Sequence, residues 1–215
     1  MSHAATAVED QPDASKPDGR RERKLKIMID HIGAVAWDLF ERHGFEAVTM
    51  EAIAATADVA KGTLYKHFPV KEALIQHRFD KDRSEQADAV SAAVMAKGTC
   101  AERLTHLLEE EAIYIEKMRP YVGPFILYRF ERQQLAQRVK SSGPMEKFIA
   151  GLLRMGQVTG EIVSDMPPER MAEYLRFLRL AVWMRWLATP DASLTSMNQE
   201  MLRLFLYGVS SKAQA

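Results

Sequence analysis

Residues 49–68 read TMEAIAATADVAKGTLYKHF, and no other stretch restricts the fold as tightly. Thr49 is an N-cap residue placed before a short Ala-rich helix. Asp58 and Val59 make a tight turn, a second short helix is predicted over residues 60–67, and Pro69 breaks the chain. Two helices of about eight residues joined by a turn of about three or four have the spacing of a helix-turn-helix.

The second of these helices concentrates groups suited to a polyanion. Gly62 removes a side chain near the helix start, so that a nucleic-acid strand can approach the backbone. The helix N-terminus favours phosphate through its free N–H groups and dipole. Lys61, Thr63 and Lys66 reach toward base edges or phosphates, and Tyr65 and His67 are donors of phosphate-contact length. Leu64 and Phe68, four apart, share a face that locks against the first helix. Lys71 opens the next helix, and Thr49 can donate its hydroxyl to a phosphate while capping its own helix. Any one of these residues alone is more simply a surface or packing residue. Their joint spacing carries the reading.

The rest of the chain reads as helix almost throughout. Leu25, Met28, Ile29, Ile32, Ala36, Leu39 and Phe40 form a helical stripe over residues 21–43, ended by Gly44 in the position of a left-handed cap. Longer helices are predicted from residue 71, over 101–117, 123–140 and 145–157, from the Pro167-Pro168 pair to 187, and over 194–209. No strand alternation of useful length occurs, so the fold class is all-α. The chain has 215 residues, 47% of them hydrophobic, enough for a sizeable core. A single cysteine, Cys100, excludes an internal disulfide framework and fits a reducing compartment. No apolar run approaches the roughly 20 residues that span a bilayer, and residues 1–20 lack the apolar core of a secretory signal. A cytoplasmic protein with no membrane partner is expected.

Lys plus Arg and Asp plus Glu each number 29, so net charge gives no global argument for a polyanionic partner. Its distribution does. Residues 1–19 carry Glu9, Asp10, Asp13 and Asp18 against Lys16, four minus one, a net of −3. The segment RRERKLK at 20–26 then carries five basic residues and one acidic. A disordered acidic tail over 1–19 is expected to lead into a basic arm in which Arg23 and Lys24 are candidate phosphate contacts.

The stretch TMEAIAATADVAKGTLYKHFPVKEAL closely resembles the DNA-binding motif of the TetR/AcrR family of bacterial transcriptional repressors. AWDLFERHGFEAVTM before it is similar to that family's first helix and its ending. The resemblance covers about residues 21–80. It implies a three-helix DNA-binding domain over 20–80 and a larger helical domain for ligand binding and dimerisation over 81–215. It also implies that residues 60–67 enter the major groove, with Thr49, Tyr65, His67 and Lys71 on phosphates and Lys61, Gly62, Thr63 and Lys66 near bases. Two positions depart from the family pattern. Asp58 stands where a turn glycine is usual, and Asp tolerates left-handed geometry. Ala60 stands where Ser or Thr often caps the reading helix, a loss of about 1 kcal/mol.

Helix-turn-helix units usually act as dimers. One apolar stripe of Phe177, Leu180 and Met184, and another of Leu194, Met197, Met201, Leu204, Phe205 and Gly208, suit a four-helix dimer interface. Aromatic and pliable residues gather at Tyr114, Met118, Tyr121, Phe125 and Tyr128. With Leu108 and Trp183 these are the candidate contacts of a small apolar or aromatic effector. Glu109, Glu110, Glu111 and Glu116 could attract a cation, but helix carboxylates are usually solvated. His106, Glu109 and Glu110 have the spacing of a metal face, but one histidine among glutamates is a poor ligand set, and no metal or cofactor is expected. No nucleophile triad, phosphate loop or dinucleotide fingerprint occurs, so no catalytic role is expected. The expected function is a repressor that leaves a pseudo-palindromic double-stranded DNA operator when its effector binds. The rival is a helical adaptor of the same fold that binds a protein.

Overall fold

The computed structural model describes residues 17–131 and 143–209. The greater part of the acidic tail, residues 1–16, lies outside the described residues. So does the span 132–140, the end of the helix expected over 123–140. The described chain is helical: α1 (Pro17–His43), α2 (Met50–Thr56), α3 (Lys61–His67), α4 (Lys71–Met95), α5 (Cys100–Lys117), α6 (Arg119–Glu131), α7 (Pro144–Val158), α8 (Pro168–Leu187) and α9 (Leu194–Val209). It divides into two compact units, Met1–Leu74 and Ile75–Ala215.

In the first unit the periodicity of the sequence becomes burial. Ile32, Ala36 and Phe40 of α1, Ile53 and Ala54 of α2, and Leu64 of α3 are buried, as are Phe45, Val48 and Phe68. Phe40 and Phe45 meet edge to face, ring centroids 5.1 Å apart, a geometry that aromatic quadrupoles favour. Gly44 ends α1 at φ 81°, the left-handed cap that its position predicts. Asp58 takes φ 51° in the turn after α2, doing there what a glycine does at less cost. Thr49 caps α2 by accepting the Ala52 N–H at 3.1 Å, whereas Ala60 leaves α3 without a side-chain cap.

In the second unit α5 is the spine. Cys100, Leu104, Leu107, Leu108, Ala112 and Ile115 are buried along one stripe of it. The first four of these pack in one cluster with Ile149, Leu152 and Leu153 of α7, Met171 and Leu175 of α8, and Met201, Leu202 and Phe205 of α9. Each such side chain contributes roughly 1.5–3 kcal/mol by leaving water. The N-terminus of α5 is fully answered. Thr99 and Glu102 form a capping box, and the Glu161 carboxylate accepts the N–H groups of Cys100 at 2.7 Å and Ala101 at 2.9 Å. Burial pushes the Cys100 thiol up to about 12, so it stays protonated and inert at neutral pH.

Two sequence expectations change here. Helix α6 starts at Arg119 rather than at 123. Pro120 fits its first turn, where an N–H has no intrahelical partner, and Pro124 forgoes one bond inside it. The glutamates of α5 were expected to be solvated, and three of them tie helices together. Glu111 pairs with Arg179 of α8, both side chains nearly buried. Glu116 accepts the Leu194 N–H at the start of α9 at 2.7 Å, and Glu109 accepts from Gln199 at 3.0 Å.

Gly156 of α7 marks the tightest approach in this unit. A Cβ there would stand 2.7 Å from Ile162 Cγ1 and 3.0 Å from Cys100 Cβ. Gly156→Ala is expected to destabilise the protein by about 1–3 kcal/mol through overpacking, read as a lower midpoint in urea denaturation with an unchanged slope.

Candidate functional site

Helix α3 has seven residues, too few to be stable alone. It exists because Leu64 is completely buried beneath it. That one anchor turns the rest of the helix outward. Lys61, Gly62, Tyr65 and Lys66 are exposed, and Thr63 and His67 are half-buried. All six of the residues assigned to α3 as nucleic-acid contacts therefore lie on or beside its outer surface. Thr49, also exposed, uses its oxygen as the α2 cap and keeps its hydroxyl proton to donate.

Gly62 is not required by the fold. Its backbone has no positive φ, and a Cβ there would meet nothing within 4 Å. A glycine that nothing inside the protomer needs fits a surface where another molecule comes close.

Glu51 of α2, which the sequence reading did not select, sits among these groups. Its Oε1 accepts the Tyr65 hydroxyl at 3.2 Å and lies 3.8 Å from Lys61 Nζ. Its own backbone N–H, then the Tyr65 hydroxyl, hold the Glu51 carboxyl below the usual carboxylate range. Desolvation, then the Glu51 charge, raises the Tyr65 phenol. Both groups therefore keep their ordinary neutral-pH forms, carboxylate and phenol. A Glu in the first turn of a helix reads as dipole stabilisation, which is why its spacing alone gave no signal.

Lys71 has a structural task. Its ammonium donates to the carbonyls of Phe45 at 2.8 Å and Glu46 at 3.3 Å and lies 4.5 Å over the Phe45 ring. It thus fastens the α1–α2 connection to the start of α4. Arg23 and Lys24 lie in an α1 segment, residues 19–27, whose side chains are all exposed. A helix of about two and a half turns with no buried face is held by its continuation, not by packing.

In the second unit the structure brings together part of the aromatic set. Phe79 meets Tyr114 at 5.7 Å and Phe125 at 4.7 Å between ring centroids. The Tyr114 hydroxyl donates to Asp82 at 2.9 Å, and Arg78 donates to the same carboxylate oxygen at 2.8 Å. Burial, then the Asp82 charge, holds the Tyr114 phenol well above its ordinary range. Tyr121 and Tyr128 are buried, and Met118, the C-cap of α5, accepts the Tyr121 N–H at 2.8 Å. Trp183 is buried on α8 with the Arg179 guanidinium 5.9 Å from its ring. Its indole N–H has no hydrogen-bond partner among the described residues. Leu108 belongs to the main core. Asp82 and Arg78 were missed because a pair four apart on a helix is ordinarily solvated.

The stripes assigned to dimerisation divide. Phe177, Met184 and Leu204 are exposed, by 40%, 54% and 69%. Leu180 and Met197 are half-buried. Leu194, Met201 and Phe205 are buried within the protomer, because the α9 face that carries them is needed by the core beside α5. They are not available to a partner. The surroundings of Gly208 lie outside the described residues. Among the described residues no three His, Cys, Asp or Glu side chains stand together as a metal site, and no helix is long and apolar enough to cross a membrane.

Comparison with known proteins places this geometry. Residues 32–77 match the family model described as bacterial regulatory proteins, tetR family. The chain is 38% identical over 92 residues to the HTH-type transcriptional repressor KstR of Mycolicibacterium smegmatis, a match spanning 42% of each chain and so less than half of that relative. It is 28% identical over 192 residues to KstR of Mycobacterium tuberculosis, covering 86% of this chain and 79% of the relative. Among solved structures, Thermus thermophilus FadR, a TetR-family transcriptional repressor in complex with lauroyl-CoA, superposes with a TM-score of 0.75. The two are 26% identical, over 84% of this chain and 94% of that one.

Because Lys71 carries carbonyl contacts, its removal tests stability as well as binding. Lys71→Met is expected to cost about 1–2 kcal/mol of folding free energy, measured as a lower melting temperature without any DNA present.

Proposed function

This chain belongs to the TetR family of bacterial regulatory proteins, and we propose that it acts as a DNA-binding transcriptional repressor whose hold on its operator is released by a small-molecule effector. The observation that carries the proposal is α3. It is a helix held by one buried leucine, with a lysine pair, a threonine, a tyrosine and an otherwise unneeded glycine turned outward. We assign DNA binding to residues 20–80 and effector binding and dimerisation to residues 81–215. The site of action is the cytoplasm, where the operator DNA lies, and the role is recognition rather than catalysis.

The first helix of the motif positions α3, and α3 enters the major groove. Thr63 and Lys66 stand near base edges, Lys61 reaches base edge or phosphate, and Thr49, Tyr65, His67, Lys71 and the arm residues Arg23 and Lys24 hold phosphates. Phosphate contacts supply most of the affinity and base contacts the sequence choice. The effector is apolar over much of its length. This follows the aromatic set at Tyr114, Met118, Tyr121, Phe125 and Tyr128, with Trp183 and Leu108 beyond it. The lauroyl-CoA held by the Thermus relative supports the same class. Such a ligand acts only if it binds the released conformer more tightly than the DNA-bound one.

Two protomers meet through the exposed stripe of α8, which runs through Phe177 and Met184, together with Leu204 of α9, Leu180 and Met197 lying at its margin. A two-fold pair of reading helices then faces two half-sites about one turn of DNA apart.

Purified protein incubated with sheared DNA of its source genome at a fixed salt of about 0.15 M is expected to retain fragments that share an inverted repeat. Lauroyl-CoA, or another long acyl thioester, is expected to release them. Gly62→Ala should fold as well as the parent or better, since helix propensity favours alanine by up to about 1 kcal/mol. It should retain those fragments at least tenfold less well. Equal retention by both proteins would remove α3 from the DNA surface, and retention of a protein partner instead would favour the adaptor reading.

Phe177→Glu with Met184→Glu is expected to shift the protein from dimer to monomer in sedimentation analysis while helix content is kept, because two carboxylates cannot be desolvated in that stripe.

A further inference from the structure

We propose that Glu51 is an internal competitor for DNA phosphate, a latch that occupies Lys61 and Tyr65 of the reading helix and so weakens the protein's sequence-independent hold on DNA. The inference rests on the DNA-binding reading of α3 given above. A single carboxylate oxygen serves both groups, with Tyr65 Oη at 3.2 Å and Lys61 Nζ at 3.8 Å. Lys61 and Tyr65 are four residues apart, hence on one side of α3. Glu51 reaches them from α2.

The chemistry of the contact is that of a phosphate oxygen. An anionic oxygen accepts one phenolic hydrogen bond and faces one ammonium, which is how a tyrosine and a lysine together hold a backbone phosphate. Glu51 is fully on the surface side, its side chain 51% exposed beside Lys61 at 65%. The pair therefore adds little to folding stability. Its position matters instead. A phosphate that takes Lys61 must displace a carboxylate, and the carboxylate then remains near the duplex as a like charge. Lys61 is thereby withheld from the phosphates on any sequence. Thr63 and Lys66 are not the groups that Glu51 holds, and they keep their reach to base edges.

The test compares wild-type protein with Glu51→Gln, using a random-sequence duplex and the operator recovered from the genomic selection, across a series of salt concentrations. Neutralising Glu51 is expected to raise affinity for the random duplex about three- to tenfold. It should also steepen the dependence of log K on log salt by about 0.9, the increment of one further phosphate contact. In a Lys61→Met background the same substitution should leave the slope unchanged, since the cation that it frees is gone. Glu51→Asp, which keeps the charge, should stay near wild-type affinity on the random duplex.

Other results overturn the latch. A parallel fall on both duplexes with an unchanged slope would make Glu51 a structural residue only. A loss confined to one operator base pair, with the random duplex unaffected, would make it a base-reading residue, such as an acceptor for a cytosine amino group. No change on either duplex would mean that Lys61 already reaches its phosphate. Failure of the wild-type protein to retain any DNA would bring down the DNA-binding reading itself, and the latch with it. That outcome is seen in the parent protein before any variant is compared.

Discussion

A helix of seven residues has no stability of its own, and the function proposed for this protein rests on two of them, α2 and α3. Each is held by burial of a few side chains: Met50, Ile53 and Ala54 for α2, and Leu64 for α3. Thr49 closes the start of α2, Asp58 makes the left-handed turn between the two, and Lys71 grips the carbonyls before α2. With so little helix inside, most of α3 faces out. Dependence on neighbours and an exposed polar surface are therefore consequences of the same shortness. A longer helix would bury more residues and present a smaller share of its length.

The second unit is organised differently. Its long helices bury whole stripes, and their relative placement is fixed by polar ties from α5. The Glu111–Arg179 pair is of particular weight because both side chains are nearly buried. Removing either partner leaves a desolvated charge, at about 3–5 kcal/mol. Glu116 and Glu161 act on helix starts, where unpaired N–H groups need acceptors. Two charged side chains, Arg179 and Asp82, touch the aromatic set itself. Arg179 lies against the Trp183 ring, and Tyr114 is held through Asp82. The proposed effector would meet, among these rings, side chains whose polar ends are already specified, as the proposed shift of conformational balance on binding requires.

The elements were legible in the sequence to a fair degree, and for identifiable reasons. Thr49 before an Ala-rich run, Gly44 after a helical stripe and the Pro167-Pro168 pair mark helix ends through local backbone chemistry, which needs no tertiary information. Helix α6 starts at Arg119 rather than at 123 because a first-turn proline, Pro120, and one bond lost at Pro124 are tolerated within a helix. Glu51, Asp82, Glu111 and Arg179 were not legible as functional or structural partners. Each pairs across helices or within a buried region, and a charged residue on a helix carries no mark of whether its neighbour is water or another chain segment.

The sequence alone determined that this chain is helical, that residues 49–68 form two short helices about a tight turn, and that the second of them is rich in donors. These follow from propensity, capping and spacing, all of them interactions within a few residues. Tertiary structure decided which face of each helix remains free. It consumed Leu194, Met201 and Phe205 in the protomer while leaving Phe177, Met184 and Leu204 outside, although all six read alike as apolar stripe residues. It also brought the Glu51 carboxylate to Lys61 and Tyr65. The physical reason is the same in both cases. Burial and charge pairing depend on contacts between residues far apart in the chain, and helical periodicity specifies only that a face exists, not what covers it.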